Sequence, residues 1–106
     1  MSIPYAKQRI IKDIASDDER IQVTGYVKKR VNDNQIVLDD KTGQINVNLK
    51  NIEKLKFKEN DLINVIGDLE IQSTGEKSII ADIVQDMNKL NFEYYQKIYF
   101  IKKEMS

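Results

Sequence analysis

Alternating apolar and polar positions between residues 20 and 49 predict an antiparallel meander of three strands. The segments that follow this pattern are 20–31, 35–39 and 44–49. Polar turns at 32–34 and 40–43 separate them, and both contain residues that favour turn conformations. In the third strand three inward apolar residues alternate with three outward amides, so a slip of one residue would bury the amides and the register is well specified.

The first of these strands carries a glycine at its centre. Gly25 lies on the same face as Ile21, Val23 and Val27. Glycine weakens a strand and is tolerated where the strand bends sharply or another backbone comes close. A long first strand with a central glycine is typical of a small, strongly coiled barrel, because that strand pairs in both halves of the sheet. In the second turn, Gly43 is expected to adopt a positive φ in a bulged hairpin.

The strand pattern resumes later in the chain. Two further strands are predicted at 62–71 and 77–84, joined by a hairpin at 73–76, and Gly67 repeats the mid-strand glycine. Between the third and fourth strands, residues 51–55 are expected to form a helical turn. Three apolar side chains of this region are expected to close one end of the barrel: Ile52, Leu55 and Phe57. Five strands with a helical element between the third and fourth follow the order of an OB-fold.

The C-terminal segment predicts a helix. Residues 91–105 contain no Gly or Pro, and Asn91 is a suitable N-cap. The apolar and aromatic residues form two stripes, Tyr94, Ile98, Ile101 and Met105 in one and Phe92, Tyr95 and Tyr99 in the other. A helix that covers a small barrel needs one stripe of about 100°. The second apolar stripe favours a helix that binds another subunit. The alternative is a helix that only caps its own barrel. The candidate partner-binding residues are Phe92, Tyr95, Ile98, Tyr99, Ile101 and Met105.

The predicted architecture is one domain, because 106 residues suffice for a single core. We divide the chain into an N-terminal strap or short helix (1–19), an OB-fold barrel (20–85) and a C-terminal assembly helix (86–106). The fold class is therefore mainly β, a five-stranded OB-fold Greek-key barrel with a C-terminal α-helix.

Composition limits the chemistry of this domain. The sequence has no His and no Cys, so serine and cysteine nucleophiles lack their usual base and zinc lacks its preferred ligands. Three carboxylates at turns, Asp33, Asp39 and Asp40, are better explained as caps of backbone amides than as metal ligands. We expect a non-enzymatic protein with no catalytic residue, no metal, no cofactor and no small-molecule substrate.

Charge and hydropathy constrain the partners. Lys and Arg together number 17, as do Asp and Glu, so the formal net charge is zero. Tight, sequence-independent nucleic-acid binders carry a basic excess, so any such surface must come from local clustering of cations. No apolar run approaches the roughly 20 residues that cross a bilayer, and the N-terminus lacks the pattern of a secretory signal. We expect an intracellular protein that does not bind membranes.

Four blocks of sequence, in this order and spacing, point to a family. They are Val23-x-Gly-x-Val27, Leu38-Asp-Asp-x-Thr-Gly-x-Ile45, Asn60-Asp-x-Ile-x-Val-x-Gly67 and Ile80-Ala-x-Ile-Val84, and a helix follows them. Over roughly residues 20–101 the chain resembles the replication protein A family of OB-folds, in particular the middle-subunit type, which includes telomere-capping and recombination-accessory relatives.

The resemblance implies a subunit that assembles with other OB-fold subunits through its C-terminal helix and acts in replication, repair or telomere maintenance. It also implies that single-stranded DNA lies across strands two and three. The candidate nucleic-acid-binding residues are Tyr26, Lys28, Arg30, Asn46, Asn48 and Lys77. Localisation would be nuclear in a eukaryote and cytoplasmic in an archaeon.

Aromatic side chains for base stacking are absent from the third strand and from the 73–76 hairpin. Stacking contributes roughly 1–3 kcal/mol per base. We therefore expect weak binding of single-stranded DNA, or binding only as part of a complex. Two alternatives remain open: a purely structural interaction module that does not contact nucleic acid, and an RNA-binding OB-fold.

Overall fold

The computed structural model describes residues 6–52 and 57–105. Its elements are β1 (Lys7–Gln8), a 3-10 turn (Ile11–Asp13), β2 (Arg20–Asn32), β3 (Gln35–Asp39), β4 (Gln44–Asn48), β5 (Leu62–Ile71), β6 (Lys77–Asp86) and α1 (Phe92–Met105). The five predicted strands and the helix are confirmed to within two residues at each end. Asn91 is confirmed as the N-cap, since its Oδ1 accepts a hydrogen bond from the Tyr94 amide at 3.1 Å.

The strands close into a barrel in the order β2-β3-β4-β6-β5, because β2 also pairs with β5. All of these pairings are antiparallel except that of β4 with β6. The short β1 adds to β2 in parallel outside the closed barrel. The predicted fold, a five-stranded OB-fold barrel followed by a C-terminal helix, is confirmed.

Strand β2 serves both halves of the barrel. Its first half pairs with β5 and its second half with β3, and Tyr26 pairs with both neighbours. At the adjacent Gly25, a Cβ atom would lie 2.9 Å from the carbonyl oxygen of Asp39. Gly67 has the same role in β5, where a Cβ would clash with the carbonyl oxygen of Ile80. Both glycines are required by a close backbone approach.

The interior of the barrel is filled by aliphatic side chains from all five strands. The fully buried members are Ile21, Val23, Val27, Ile36, Leu38, Val47, Leu49, Ile63, Val65, Ile79 and Ala81. Ile52 and Phe57 pack against this core, whereas Leu55, with most of the helical turn predicted at 51–55, lies outside the described residues. From the N-terminal segment, Ile10 and Ile14 are also buried.

The β3–β4 hairpin differs from its prediction in one backbone feature. The positive φ, 72°, belongs to Lys41 and not to Gly43, so that expectation was wrong. The reason is local hydrogen bonding: Asp39 accepts the Lys41 amide at 2.7 Å, and Asp40 accepts the Thr42 amide at 2.9 Å, which places the positive φ two residues earlier than expected. Gly43 instead leaves room for the side chain of Ile11, whose Cγ2 would lie 3.1 Å from an added Cβ.

Asp40 connects this hairpin to two distant segments. Its side chain is 1% exposed and accepts hydrogen bonds from the Ile11 amide at 2.7 Å and the Thr42 hydroxyl at 2.6 Å. Its backbone oxygen accepts a hydrogen bond from the Gln96 side chain of α1 at 2.6 Å. One residue therefore anchors the N-terminal segment, its own turn and the helix to the barrel.

Helix α1 lies against the barrel through its aromatic stripe. Phe92 and Tyr99 are buried, and the ring of Phe92 meets that of Tyr26 edge-on with centroids 5.2 Å apart. The hydroxyl of Tyr95 accepts a hydrogen bond from the Gln8 side chain at 2.6 Å. The second stripe identified in the sequence thus covers the chain's own barrel and N-terminal segment.

The far end of α1 is held by Asp13. One oxygen of this carboxylate accepts hydrogen bonds from the Lys103 ammonium at 2.8 Å and the Tyr99 hydroxyl at 2.9 Å. The hydrogen bond from Lys103, opposed by partial burial and assisted by Tyr99, holds the pKa of Asp13 below its ordinary value of 3.8. Burial, together with the bond to Asp13, raises the pKa of Tyr99.

We predict that Asp40→Ala lowers the free energy of unfolding by about 3 kcal/mol, because it leaves buried donors without an acceptor. The control is Asp33→Ala in the exposed β2–β3 turn, for which we expect a change within about 0.5 kcal/mol. Urea unfolding followed by circular dichroism measures both. Equal losses for the two variants would contradict the anchoring role of Asp40.

We predict that Asp13→Asn lowers Tm near neutral pH and that this deficit disappears in acid. Because the folded-state pKa of Asp13 lies below its ordinary value, the carboxylate stabilises the folded chain above about pH 4, and that contribution is lost as pH falls through the folded pKa. The charge-matched control is Asp17→Asn at an exposed position. A deficit that stayed constant between about pH 7 and pH 3 would exclude the charge of Asp13 as its cause.

Candidate partner and nucleic-acid surfaces

The side of α1 that faces away from the barrel is apolar. Its members recur every three or four residues and are Tyr94, Ile98, Ile101 and Met105, which we call the outer helix face. Their exposed fractions are 63%, 36%, 55% and 81%, respectively. A continuous exposed apolar stripe of this kind is typical of a protein–protein contact.

The structure separates the residues that the sequence proposed for partner binding. Ile98, Ile101 and Met105 lie on the outer helix face, whereas Phe92 is buried against Tyr26 of the barrel and Tyr99 is buried beside the N-terminal segment. Tyr95 is half-buried beside Phe92, with their rings stacked at 6.2 Å. Tyr94 belongs to the outer helix face but was not among the candidates, although its spacing from Ile98 already placed it on that stripe.

A second surface is formed by the outward side chains of β3 and β4. Gln35 and Val37 on β3 pair in register with Asn48 and Asn46 on β4, and all four are half-buried. We call this surface the β3–β4 face. It lies between the β2–β3 turn and the β5–β6 hairpin, whose Glu76 accepts a hydrogen bond from Asn46 at 2.7 Å. Asn46 and Asn48, as expected from the sequence, share one face.

The other residues proposed for nucleic-acid binding are more dispersed. The ring of Tyr26 packs against the helix and carries the Lys41 ammonium 5.7 Å above its centroid. The ammonium of Lys77 donates a hydrogen bond to the carbonyl oxygen of Ile14 at 3.1 Å. Lys28 and Arg30 are exposed on the second half of β2.

A β-bulge changes which cation lies beside the β3–β4 face. The pairing of β2 with β3 shifts register between Val27 and Lys29, so Lys29 lies opposite Val37 and Arg30 opposite the buried Ile36. Lys29 was missed in the sequence because strict alternation assigns it to the other side of the strand. No pattern in the strand itself marks the position of the bulge.

Neither a metal-ligand cluster nor a membrane-spanning helix is found in the described residues. Among them, no three His, Cys, Asp or Glu side chains lie close enough together to hold a metal ion. No helix in the described part of the chain is long and apolar enough to cross a bilayer.

Several solved structures share this fold. Telomere capping protein Ten1 from S. pombe aligns with a TM-score of 0.76 at 16% identity, covering 94% of this chain and 99% of that one. The S. pombe Stn1–Ten1 complex contains a chain that aligns with a TM-score of 0.79 at 13% identity, covering 99% and 98%. A chain of a replication protein A heterotrimer bound to single-stranded DNA aligns with a TM-score of 0.56 at 19% identity, covering 81% of this chain and 67% of that one.

The family of the chain follows from its sequence. No curated protein matches it significantly. A family model described as telomere-capping, CST complex subunit, of the Ten1 type, matches residues 5–105. That match spans the N-terminal segment, the whole barrel and the helix, and it agrees with the resemblance to telomere-capping relatives of replication protein A. The chain belongs to the Ten1 family of telomere-capping CST complex subunits.

Proposed function

We propose that this protein is a non-enzymatic subunit of a telomere-capping complex, in which the outer helix face binds a Stn1-type OB-fold subunit. The observation that supports this most directly is the division of α1 into two opposite apolar stripes. One stripe is used by the chain's own barrel, and the other is exposed to solvent. In a eukaryotic cell this function assigns the protein to the nucleus.

The chemistry of the outer helix face suits a permanent apolar contact. It combines two branched aliphatic side chains, Ile98 and Ile101, with the flexible Met105 and the aromatic Tyr94. Methionine and aromatic side chains are enriched in the cores of protein interfaces. Helix-in-groove recognition uses anchors at this spacing, so a partner with an apolar groove or helix is the natural occupant.

We further propose that the barrel contributes a modest contact to single-stranded DNA through its β3–β4 face. Asn46 and Asn48 supply amides, and Lys29, with the flanking Lys28 and Arg30, supplies positive charge beside them. Among the described residues, no aromatic side chain lies on this face to stack on a base. The affinity of the chain alone is therefore expected to be micromolar at best and strongly dependent on salt.

We predict that Ile101→Asp weakens assembly with the Stn1-type subunit of the same organism by at least about 30-fold, because it places a charge in an apolar interface. The matched control is Ile83→Asp, which makes the same change at an exposed isoleucine of β6. Light scattering on the co-expressed, purified complex measures assembly, and circular dichroism checks folding. A complex that survives in the Ile101 variant would contradict this interface.

We predict that Lys29→Glu weakens binding to oligo-dT by about three- to tenfold at low salt and reduces the salt slope by about 1, because one phosphate contact is lost. The control is Lys89→Glu on the linker before α1, which makes the same change in net charge. Fluorescence anisotropy over a series of salt concentrations measures both. Equal effects of the two variants would contradict a DNA contact at the β3–β4 face, and no measurable binding by the wild type would favour the alternative of a purely structural subunit.

A further inference from the structure

A polar groove lies at one end of the β3–β4 face, with which it shares Gln35 and Asn48. It has a volume of about 470 Å³ and opens between the β2–β3 turn and the end of β4. Its lining residues are Asn32, Asp33, Asn34, Gln35, Asn48 and Lys50. We call it the turn groove. Four of these six side chains are carboxamides, which can each present a donor or an acceptor.

Two of the four carboxamides have a fixed orientation. Asn32 Oδ1 accepts the backbone amide of Asn34 at 2.8 Å, and Asn48 Oδ1 accepts the backbone amide of Lys50 at 2.9 Å. Their oxygens are thus committed to the protein, and each side chain presents its Nδ2 amino group. Neither amino group donates to another described residue. The exposed ammonium of Lys50 adds further donors at the same place.

The backbone of the turn groove is also held in place. The amide of Leu49 donates to the carbonyl oxygen of Asn34 at 2.7 Å, which ties the turn to the end of β4. The side chains of Asn34 and Gln35 can turn either edge towards a ligand, and Asp33 is the one carboxylate among the described lining residues. The fixed groups are therefore donors, arranged before a ligand arrives.

The opposite end of β4 has the reverse polarity. Asn46 donates its amino group to Glu76 at 2.7 Å, and Gln44 donates its amino group to Asp39 at 3.2 Å. Because Glu76 and Asp39 engage these amino groups, the side-chain oxygens of Asn46 and Gln44 remain available as acceptors. The outer surface of β4 thus changes from acceptors at its first residue to donors at its last.

We propose that the turn groove binds a nucleobase through the carbonyl oxygens on its edge and so prefers thymine to cytosine. The two bases differ at positions 3 and 4: thymine presents an N–H donor and an acceptor oxygen, whereas cytosine presents an acceptor nitrogen and a donor amino group. The carboxylate of Asp33, which also lines the turn groove, can accept the N–H of thymine but has nothing to accept from the bare nitrogen of cytosine. The fixed amino groups of Asn32 and Asn48 complement the oxygen and oppose the amino group. This inference rests on the proposed contact between the β3–β4 face and single-stranded DNA, and it adds the base preference of that contact.

The test compares oligo-dT with oligo-dC of equal length by fluorescence anisotropy, on the full chain and on its complex with the Stn1-type subunit. We expect the wild type to bind oligo-dT about two- to tenfold more tightly, the range for one hydrogen bond. Asn48→Asp keeps the oxygen that accepts the Lys50 amide and replaces the amino group by an acceptor. It is expected to abolish or invert the preference.

Asn88→Asp is the matched control. Asn88 Oδ1 accepts the Leu62 amide at 2.8 Å, so this variant also keeps its internal hydrogen bond and makes the same change in charge on the linker before α1. It is expected to leave the ratio of the two affinities unchanged. An added negative charge weakens binding to both oligonucleotides alike, so it cancels in the ratio of the oligo-dT and oligo-dC affinities. Circular dichroism checks that both variants fold.

The outcomes separate this inference from the proposed function. Equal wild-type affinity for the two oligonucleotides, or a preference that persists in Asn48→Asp, would overturn the inference while leaving DNA contact in place. Failure of both the chain and the complex to bind either oligonucleotide would overturn the proposed DNA contact and the inference together. Loss of the preference in Asn48→Asp but not in Asn88→Asp supports the inference.

Discussion

The arrangement of both candidate surfaces depends on one buried carboxylate. Asp40 accepts hydrogen bonds from Ile11 in the N-terminal segment and from Thr42 in its own turn, and its backbone oxygen accepts one from Gln96 in the helix. Removing a buried acceptor that binds several donors is costly, because each buried donor is then left without either a protein partner or water. The β3–β4 hairpin, the strap and the helix therefore hold their positions together.

This anchoring gives the helix two sides with different roles. Once Phe92 is fixed against the barrel and Tyr99 against the N-terminal segment, the residues half a turn away must face solvent, because side chains three and four residues apart share one side of a helix. The exposure of Ile101 and Met105 is thus a consequence of how the inner side docks. A small barrel has room for one apolar stripe only, so the second stripe is available for another subunit.

The β3–β4 face shows how local hydrogen bonds set the character of a surface. Asn46 and Asn48 are the same residue type two positions apart, and sequence analysis assigned them the same role. In the structure, Glu76 occupies the amino group of Asn46, whereas the amide of Lys50 occupies the oxygen of Asn48. Their exposed edges therefore differ, and this difference is invisible to any pattern of residue types.

The sequence by itself determined the strands, the helix, their order and the OB-fold, because periodicity, turn residues and the mid-strand Gly25 are local signals of backbone geometry. It also identified both stripes of the helix. Only the tertiary structure decided which stripe docks on the barrel, that Lys41 rather than Gly43 takes the positive φ, and that a bulge places Lys29 beside the β3–β4 face. The φ of Lys41 depends on which side-chain oxygens of Asp39 and Asp40 accept the amides of the turn, and residue types alone do not specify that choice. The docking of the helix and the position of Lys29 depend on contacts between separate segments of the chain, and periodicity carries no information about such contacts.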